Sequence, residues 1–546
     1  MKRYLLAWFS CISFSLTAAI PAPDAAARKA NELRAAHASA RNKENERLRE
    51  LAASLEKAGE TREAKAVRDA IRPLVTPSGA TRIVPLVEIV PGKRTSKASA
   101  SGLANLPERS QAEGASPKSI RSNSDDGSTG VDLDRIKEWT KIRREAAAEL
   151  FDLAKQAFKT GGRLSLASLW LHEVIERDPD HAEARRILGF VPYEGGWATP
   201  YAIQMIKSGK ALHPRFGWVD RTWIDRLNAG ELPAPIVRGA PIRWVSAAEA
   251  DAARSEWENG WKITTEHFVI QSNLPLSEVI VFGRRLEAFR DVFITVMADV
   301  IGPAKFSIAR RFADPKLKPT TDSAAHKIFY FATKTQYLDY LKTHDLQADS
   351  RSLGIYIPGS KICFFYKNEN GAIPDTATLY HETSHQLLFE LAGKGNFQRN
   401  PGDFWVFEGL GTYFETVEVL ADDSIELGGM IGPRIAQALE RIAIRGEIVP
   451  LDRFVKIGAA RFVQPEPSAD VYLKYVQAMA LTVFLMRYDG ERYRDAFLDY
   501  VEDAYKGRLT GQASRTLTGR LGVPYDEIEA QFVADLKRFV PRARDR

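Results

Sequence analysis

The chain has 546 residues, of which 45% are hydrophobic and 27% charged, and its net charge is +6. This is ordinary composition for a soluble globular protein of two to four domains, so neither disulfides nor metals are needed to stabilise a small core. A charge this mild does not argue for a nucleic-acid surface, and two cysteines leave no room for a disulfide framework or a cysteine-based zinc site.

Lys2 and Arg3 open a short basic stretch, Tyr4 to Leu16 is mostly apolar, and Thr17, Ala18 and Ala19 are small. Residues 1–22 therefore read as a secretory signal, with retention as an anchor the alternative. The run falls short of the ~18–20 apolar residues a membrane span needs, and no later segment comes close. The expected location is outside the cytoplasm: periplasmic, cell-surface or secreted. Cleavage removes Cys11 and leaves Cys363, which sits in Ile362-Cys363-Phe364-Phe365 and reads as a buried strand residue.

Residues 23–74 read as a helical hairpin, with Leu48, Leu51 and Leu55 at helical spacing and Gly59 as the break. Residues 75–130 are rich in Pro, Ser, Gly, Lys and Asn and read as a flexible, slightly basic linker. Residues 131–200 are helical again, with a dense stripe from Leu164 to Ile175 and a turn at Asp178-Pro179-Asp180. This resembles one tetratricopeptide-like helix pair, a candidate surface for a protein partner, without a second copy at a fixed period. His172-Glu173 opens a false metal motif, because Glu176 and not histidine stands four residues after His172. Residues 201–258, rich in Trp and Pro, read as an irregular connector.

Residues 259–546 form the last domain. Strands are expected at His267–Ile270 and His326–Ala332, helices around Leu276–Met297 and Tyr337–Lys342, and a hairpin about Pro358-Gly359-Ser360. Everything after Pro374 reads as predominantly helical, so the fold class is α+β. Residues 23–130 are expected to be dispensable for metal binding.

His381-Glu382-Thr383-Ser384-His385 is an HExxH motif on a predicted helix that starts at Pro374-Asp375-Thr376 and stops before Gly393. Residues four apart share a helix face, so both imidazoles can reach one metal ion at ~2.0–2.1 Å, and Glu382 on the flank can take a proton from its water. A third ligand is needed, and Glu408 supplies a candidate. It is flanked by Trp405, Phe407 and Leu410, where an unpartnered carboxylate is costly to bury. Glu415, seven residues on and on the same face, is placed to accept a hydrogen bond from a ligand histidine.

HExxH followed by W-x-x-E-G-x-x-x-Y-x-E resembles the gluzincin metallopeptidases, and the second segment is most similar to the aminopeptidase-N group. Trp405, Glu408, Gly409, Tyr413 and Glu415 fall on its pattern. The resemblance covers residues ~260–540. It implies a thermolysin-like catalytic fold, a small sheet packed on the HExxH helix and then a helical subdomain. It also implies one Zn²⁺ per chain held by His381, His385 and Glu408, Glu382 as general base, and a peptide or protein substrate. Tyr475, in Tyr475-Val476-Gln477-Ala478-Met479-Ala480-Leu481, is similar to the tyrosine that donates to the oxyanion in that group; Tyr472 is the alternative, and a core tyrosine at a helix start the plain reading.

The G-x-M-E-N motif that holds a free amino end is missing, and Gly354 to Ser360 stands in its place. The gap from His385 to Glu408 is also longer than in that group. The layout is closest to bacterial peptidase-MA-like proteins with a helical region before the catalytic domain. The competing function is a zinc-binding cell-envelope protein that does not cleave peptides and serves as an interaction module.

Overall fold

Apolar side chains alternate along 261–272 and 326–331 and recur on both sides of a Pro-Gly turn at 354–366, so these segments make strands needing cover on both faces. The computed structural model describes residues 25–73, 76, 78–91, 133–159, 163–235, 240–302, 307–321, 325–346, 353–368, 375–392, 402–466, 469–509 and 512–540. The expected signal at 1–22, the linker from 92 to 130, Pro374 and Gly393 lie outside the described residues.

The segments form one five-stranded sheet in the order Gly354–Ile357, Ile362–Tyr366, His326–Phe331, Phe268–Ser272, Trp261–Thr264. The three inner strands are parallel and both edges antiparallel. The hairpin expected about Pro358-Gly359-Ser360 is present, pairing Ile357 with Ile362. Its last turn residue, Lys361, has φ 55°, the left-handed conformation that closes the turn.

Strand alternation sends Ile270, Ile328, Tyr330, Cys363 and Phe365 to one face and Phe329, Phe331, Phe364 and Tyr366 to the other. The second face is covered by Trp257 and by Tyr337 and Tyr340 of helix Lys334–Thr343. The first carries helix Leu276–Val296 and the motif helix Asp375–Leu387, with Cys363 fully buried between strand and helix, as expected. Its thiol donates to the main-chain carbonyl of Glu382 at 3.4 Å. The α+β class is thus observed.

Behind the motif helix lie helices Phe404–Phe414 and Val471–Glu491. Gly409 brings them together: a Cβ there would stand 2.5 Å from Thr482 Oγ1 and 3.0 Å from the Ala478 carbonyl. Among the described residues, no helix is long and apolar enough to cross a membrane.

The front end contains helices Ala25–Lys57, Thr61–Ala70, Leu133–Lys159, Leu164–Arg177 and Ala182–Leu188. Leu48, Leu51 and Leu55 bury against Ala64, Val67 and Ile142, and Gly59 turns the chain at φ 81°. His172 is an ordinary buried helix residue, its ring nitrogens facing the Val84 carbonyl and Thr295 Oγ1. Buried Glu44 joins Arg177 at 2.7 Å and Arg143 at 3.3 Å, so the first long helix is tied to both later ones.

Two expectations are corrected. Residues 78–91 are not linker: Thr81–Ile83 pairs with Ile425–Leu427, and Ile89–Val90 pairs with Gly196–Ala198. Their partners are remote in sequence, so local composition could not reveal them. Nor is 201–258 irregular; it holds hairpins Lys210–His213/Gly217–Asp220 and Glu231–Pro233/Trp244–Ser246 and short helices, among them Ile224–Asn228. The front end also grips the C-terminal half, because Arg34 meets Asp495 at 2.6 Å and Glu491 at 3.1 Å. Residues 23–130, expected to be dispensable for metal binding, therefore include segments that pack on the C-terminal half.

Candidate metal centre

The motif helix is anchored by Leu379, Leu387 and Leu388, all buried, and runs on as a π-helical turn at Leu388–Ala392. Wide turns of this kind recur at functional sites. His381 and His385, four apart, project from one face with ring centroids 4.7 Å apart and planes at 86°. The next helix, Phe404–Phe414, is apolar except for Glu408 and Thr412 and presents Glu408 to that face. One ligand atom from each of His381, His385 and Glu408 lies within 4.8 Å of the other two, and all three residues are buried.

Each imidazole is held. His381 Nδ1 pairs with Glu415 Oε1 at 2.9 Å, which leaves Nε2 facing Glu408 Oε2 at 3.4 Å. Arg434 Nε donates to the other Glu415 oxygen at 2.5 Å. Burial alone would raise Glu415, but the bond from His381 and the charge of Arg434 hold it below the usual carboxylate range. His385 stacks flat on Phe407 at 3.7 Å and 3°. Burial, with the neighbouring His381 charge, pushes its pKa well down, so it stays a neutral donor. Without a metal, burial opposes charge on His381 too, yet the bonds to Glu408 and Glu415 lift it to about 10. Glu382, Glu408 and Glu415 thus all act on the His381 ring.

Two observations test whether a metal ion fits. A Cβ at Gly411 would lie 2.7 Å from His381 Nε2, so only glycine keeps that cradle open. His385 Nδ1 is buried with no hydrogen-bond partner among the described residues, which costs about 1–3 kcal/mol when nothing else engages the ring. Two imidazoles and a carboxylate are a donor set suited to zinc with an open fourth position. The residues fit.

Glu382 flanks the group. Its Oε2 accepts the main-chain N–H of Tyr356, on the edge strand, at 2.9 Å. Burial raises its pKa to about 7, against the pull of His381 and the Tyr356 N–H. The edge strand is fixed in turn: Tyr356 Oη donates to Glu390 Oε1 at 3.4 Å, and Glu390 meets His326 Nδ1 at 2.7 Å and Gln386 Nε2 at 3.2 Å.

Tyr475, near the start of helix Val471–Glu491, packs against Phe462, and Arg434 lies 5.8 Å from its ring centroid. Burial first, then the charges of Glu408 and Glu382, push its phenol well above the ordinary tyrosine range, so it remains a donor. Tyr472 is 39% exposed and stands at the rim. Of the two tyrosines, Tyr475 is the one whose phenol senses both carboxylates.

Sequence reasoning missed Arg434, the Tyr356 N–H, Glu390 and Gly411. A backbone donor leaves no residue signal, and Arg434 and Glu390 stand at no motif spacing. Gly411 was findable: two glycines inside one helix cost about 1 kcal/mol each relative to alanine, which signals a close approach. No curated protein matches the chain. Residues 375–507, which carry the three candidate ligands, Glu382, Glu415, Arg434 and Tyr475, match the family model described as "Protein of unknown function (DUF1570)".

Proposed function

We propose that this protein is an exported zinc-dependent hydrolase, a peptidase of the gluzincin kind. The observation that carries the reading is the convergence of His381, His385 and Glu408 to within 4.8 Å with Glu382 beside them. A site that only held a metal would have no use for a buried carboxylate poised near neutrality on its flank.

Zinc held by the three residues would supply a Lewis acid that polarises a carbonyl and acidifies water. Glu382 takes the proton of the attacking water and returns it to the leaving amine, the two roles needed to cleave an amide. Its carboxylate is aimed by the Tyr356 N–H. The Tyr475 phenol donates to the oxygen on which negative charge develops. Glu415 and Arg434 hold His381 in one orientation.

The test is metal analysis by mass spectrometry of the purified protein beside Glu408→Ala and Glu382→Gln, with a peptide-library digest of each. About one zinc per chain is expected in the wild type and in Glu382→Gln, with turnover in the latter down roughly 10²–10⁴-fold. Wild-type turnover in Glu382→Gln would refute the mechanism. A wild type that takes up no zinc would shift the weight to an interaction module.

A further inference from the structure

We propose that a second pocket, next to the metal-facing groups, binds an aromatic side chain accompanied by a carboxylate. The chain would use it to select acidic-aromatic segments of its substrate. The word substrate rests on the peptidase reading above; the pocket does not.

The cavity measures about 380 Å³ and lies between helix Leu276–Val296 and the first turns of the motif helix. That is the lower end of the range for small-molecule sites. Its wall is aromatic and already assembled: Phe282 stacks on Tyr330 at 4.2 Å and meets Phe365 edge-on at 6.0 Å. These rings, none more than 8% exposed, form the apolar base of the pocket. Val281, at the mouth, is 45% exposed, an apolar side chain facing water on a helix whose other apolar residues are mostly buried.

Among the described residues, the charges on the lining do not balance. Glu278 and Lys367 pair with each other at 2.9 Å, whereas Arg285, exposed on the same wall, has no ion-pair partner among the described residues. A pocket with an aromatic floor and a guanidinium that no described carboxylate neutralises is complementary to an aryl group carrying an anion. Thr378 links the pocket to the metal centre. It lines the cavity, is half-buried, and stands one helical turn before His381 and Glu382. A group seated here rests on the first turns of the helix that carries the candidate base.

Two fragments with the same ring and opposite charge test this, 3-phenylpropionate and phenethylamine. Binding is followed by ligand-observed NMR on the full-length, metal-free protein, so that neither fragment can ligate zinc. Saturable binding of 3-phenylpropionate is expected, with phenethylamine about tenfold weaker or worse. Val281→Trp, which fills the pocket from an exposed position, should abolish binding. Arg285→Glu should invert the charge preference. Far-UV circular dichroism of both variants should match the wild type. No saturable binding, equal binding of the two fragments, or binding that survives Val281→Trp would overturn the proposal. Binding as expected in a protein that takes up no zinc and cleaves no peptide would keep the pocket and dismiss the peptidase.

Discussion

The candidate metal group and the junction where Glu88, Thr199, Trp218, Glu266, His267 and Glu287 meet are built from the same residue types, histidine and carboxylate, buried in the first and half-buried in the second. At the junction, each carboxylate accepts a hydrogen bond from a neighbour. Glu88 accepts from Trp218 Nε1 at 2.6 Å, and Glu266 accepts from Thr199 Oγ1 at 3.3 Å. Glu287 takes both the main-chain N–H and the ring of His267, each at 2.7 Å. At the candidate metal centre the outer nitrogen of His381 is spent on Glu415, and the inner atoms of three residues are left converging. Among the described residues, only His381, His385 and Glu408 bring three such atoms together. Composition therefore does not distinguish a ligand set from a buried polar network; the direction of the unspent lone pairs does.

The comparison breaks most sharply through metal content. Glu408→Ala should weaken zinc binding by roughly 10³-fold, about a third of the ~10–16 kcal/mol such ions contribute. His267→Ala and Glu266→Gln should leave one zinc per chain. Loss of metal from either junction variant, read by equilibrium dialysis against a zinc buffer, would erase the distinction. Glu415→Ala removes the partner of His381 rather than a ligand, and the expected loss of zinc affinity is smaller, about 10–100-fold.

The junction should reveal itself through pH instead. Burial raises Glu88 to about 7 and Glu266 to about 8, and repulsion among Glu88, Glu266 and Glu287 adds to it. Arg284 and Arg290 oppose the rise, as do the hydrogen bonds from Trp218 and Thr199. Glu287, bonded to His267, is instead held below its ordinary range despite its burial, and Tyr201 nearby is raised out of the titrating window. A carboxyl whose folded pKa exceeds its unfolded value favours folding below the unfolded pKa, and that advantage is lost as pH climbs through the folded one. Thermal stability should thus fall between about pH 5 and 9, by on the order of 3–5 kcal/mol per carboxyl at most. A Glu88→Gln/Glu266→Gln double variant should show a flatter profile by calorimetry, and an unchanged slope would reject the assignment. The smallest effect is expected from Tyr356→Phe. It deletes the bond to Glu390 but keeps the main-chain N–H on Glu382, so about 1 kcal/mol of stability should go while zinc content stays.

What could be read from the sequence was what is local. HExxH declares itself because helical spacing turns four residues into one face, and Glu408 because a carboxylate among Trp405, Phe407 and Leu410 demands a partner. The inner strands and the 354–366 hairpin were legible from β-branched and aromatic runs and a Pro-Gly turn. Residues 81–83 were not, since their strand exists only against Ile425–Leu427, more than three hundred residues away. Arg434 was hidden for the same reason: its bond to Glu415 follows from how helix Pro433–Ala438 packs, and no spacing rule encodes that.

The pairing of Thr81–Ile83 with Ile425–Leu427 carries a consequence for how the chain responds to proteolysis. Residues 78–91 and the helix from Leu133 are docked on opposite sides of the stretch between them, the first through strand pairing and the second through Arg47–Glu145 and Glu44–Arg143. A single cut within 92–132 would sever the chain without freeing either piece. The nicked protein should migrate as two bands under denaturing conditions and elute from a sizing column as one, so maturation by cleavage there would yield a non-covalent heterodimer.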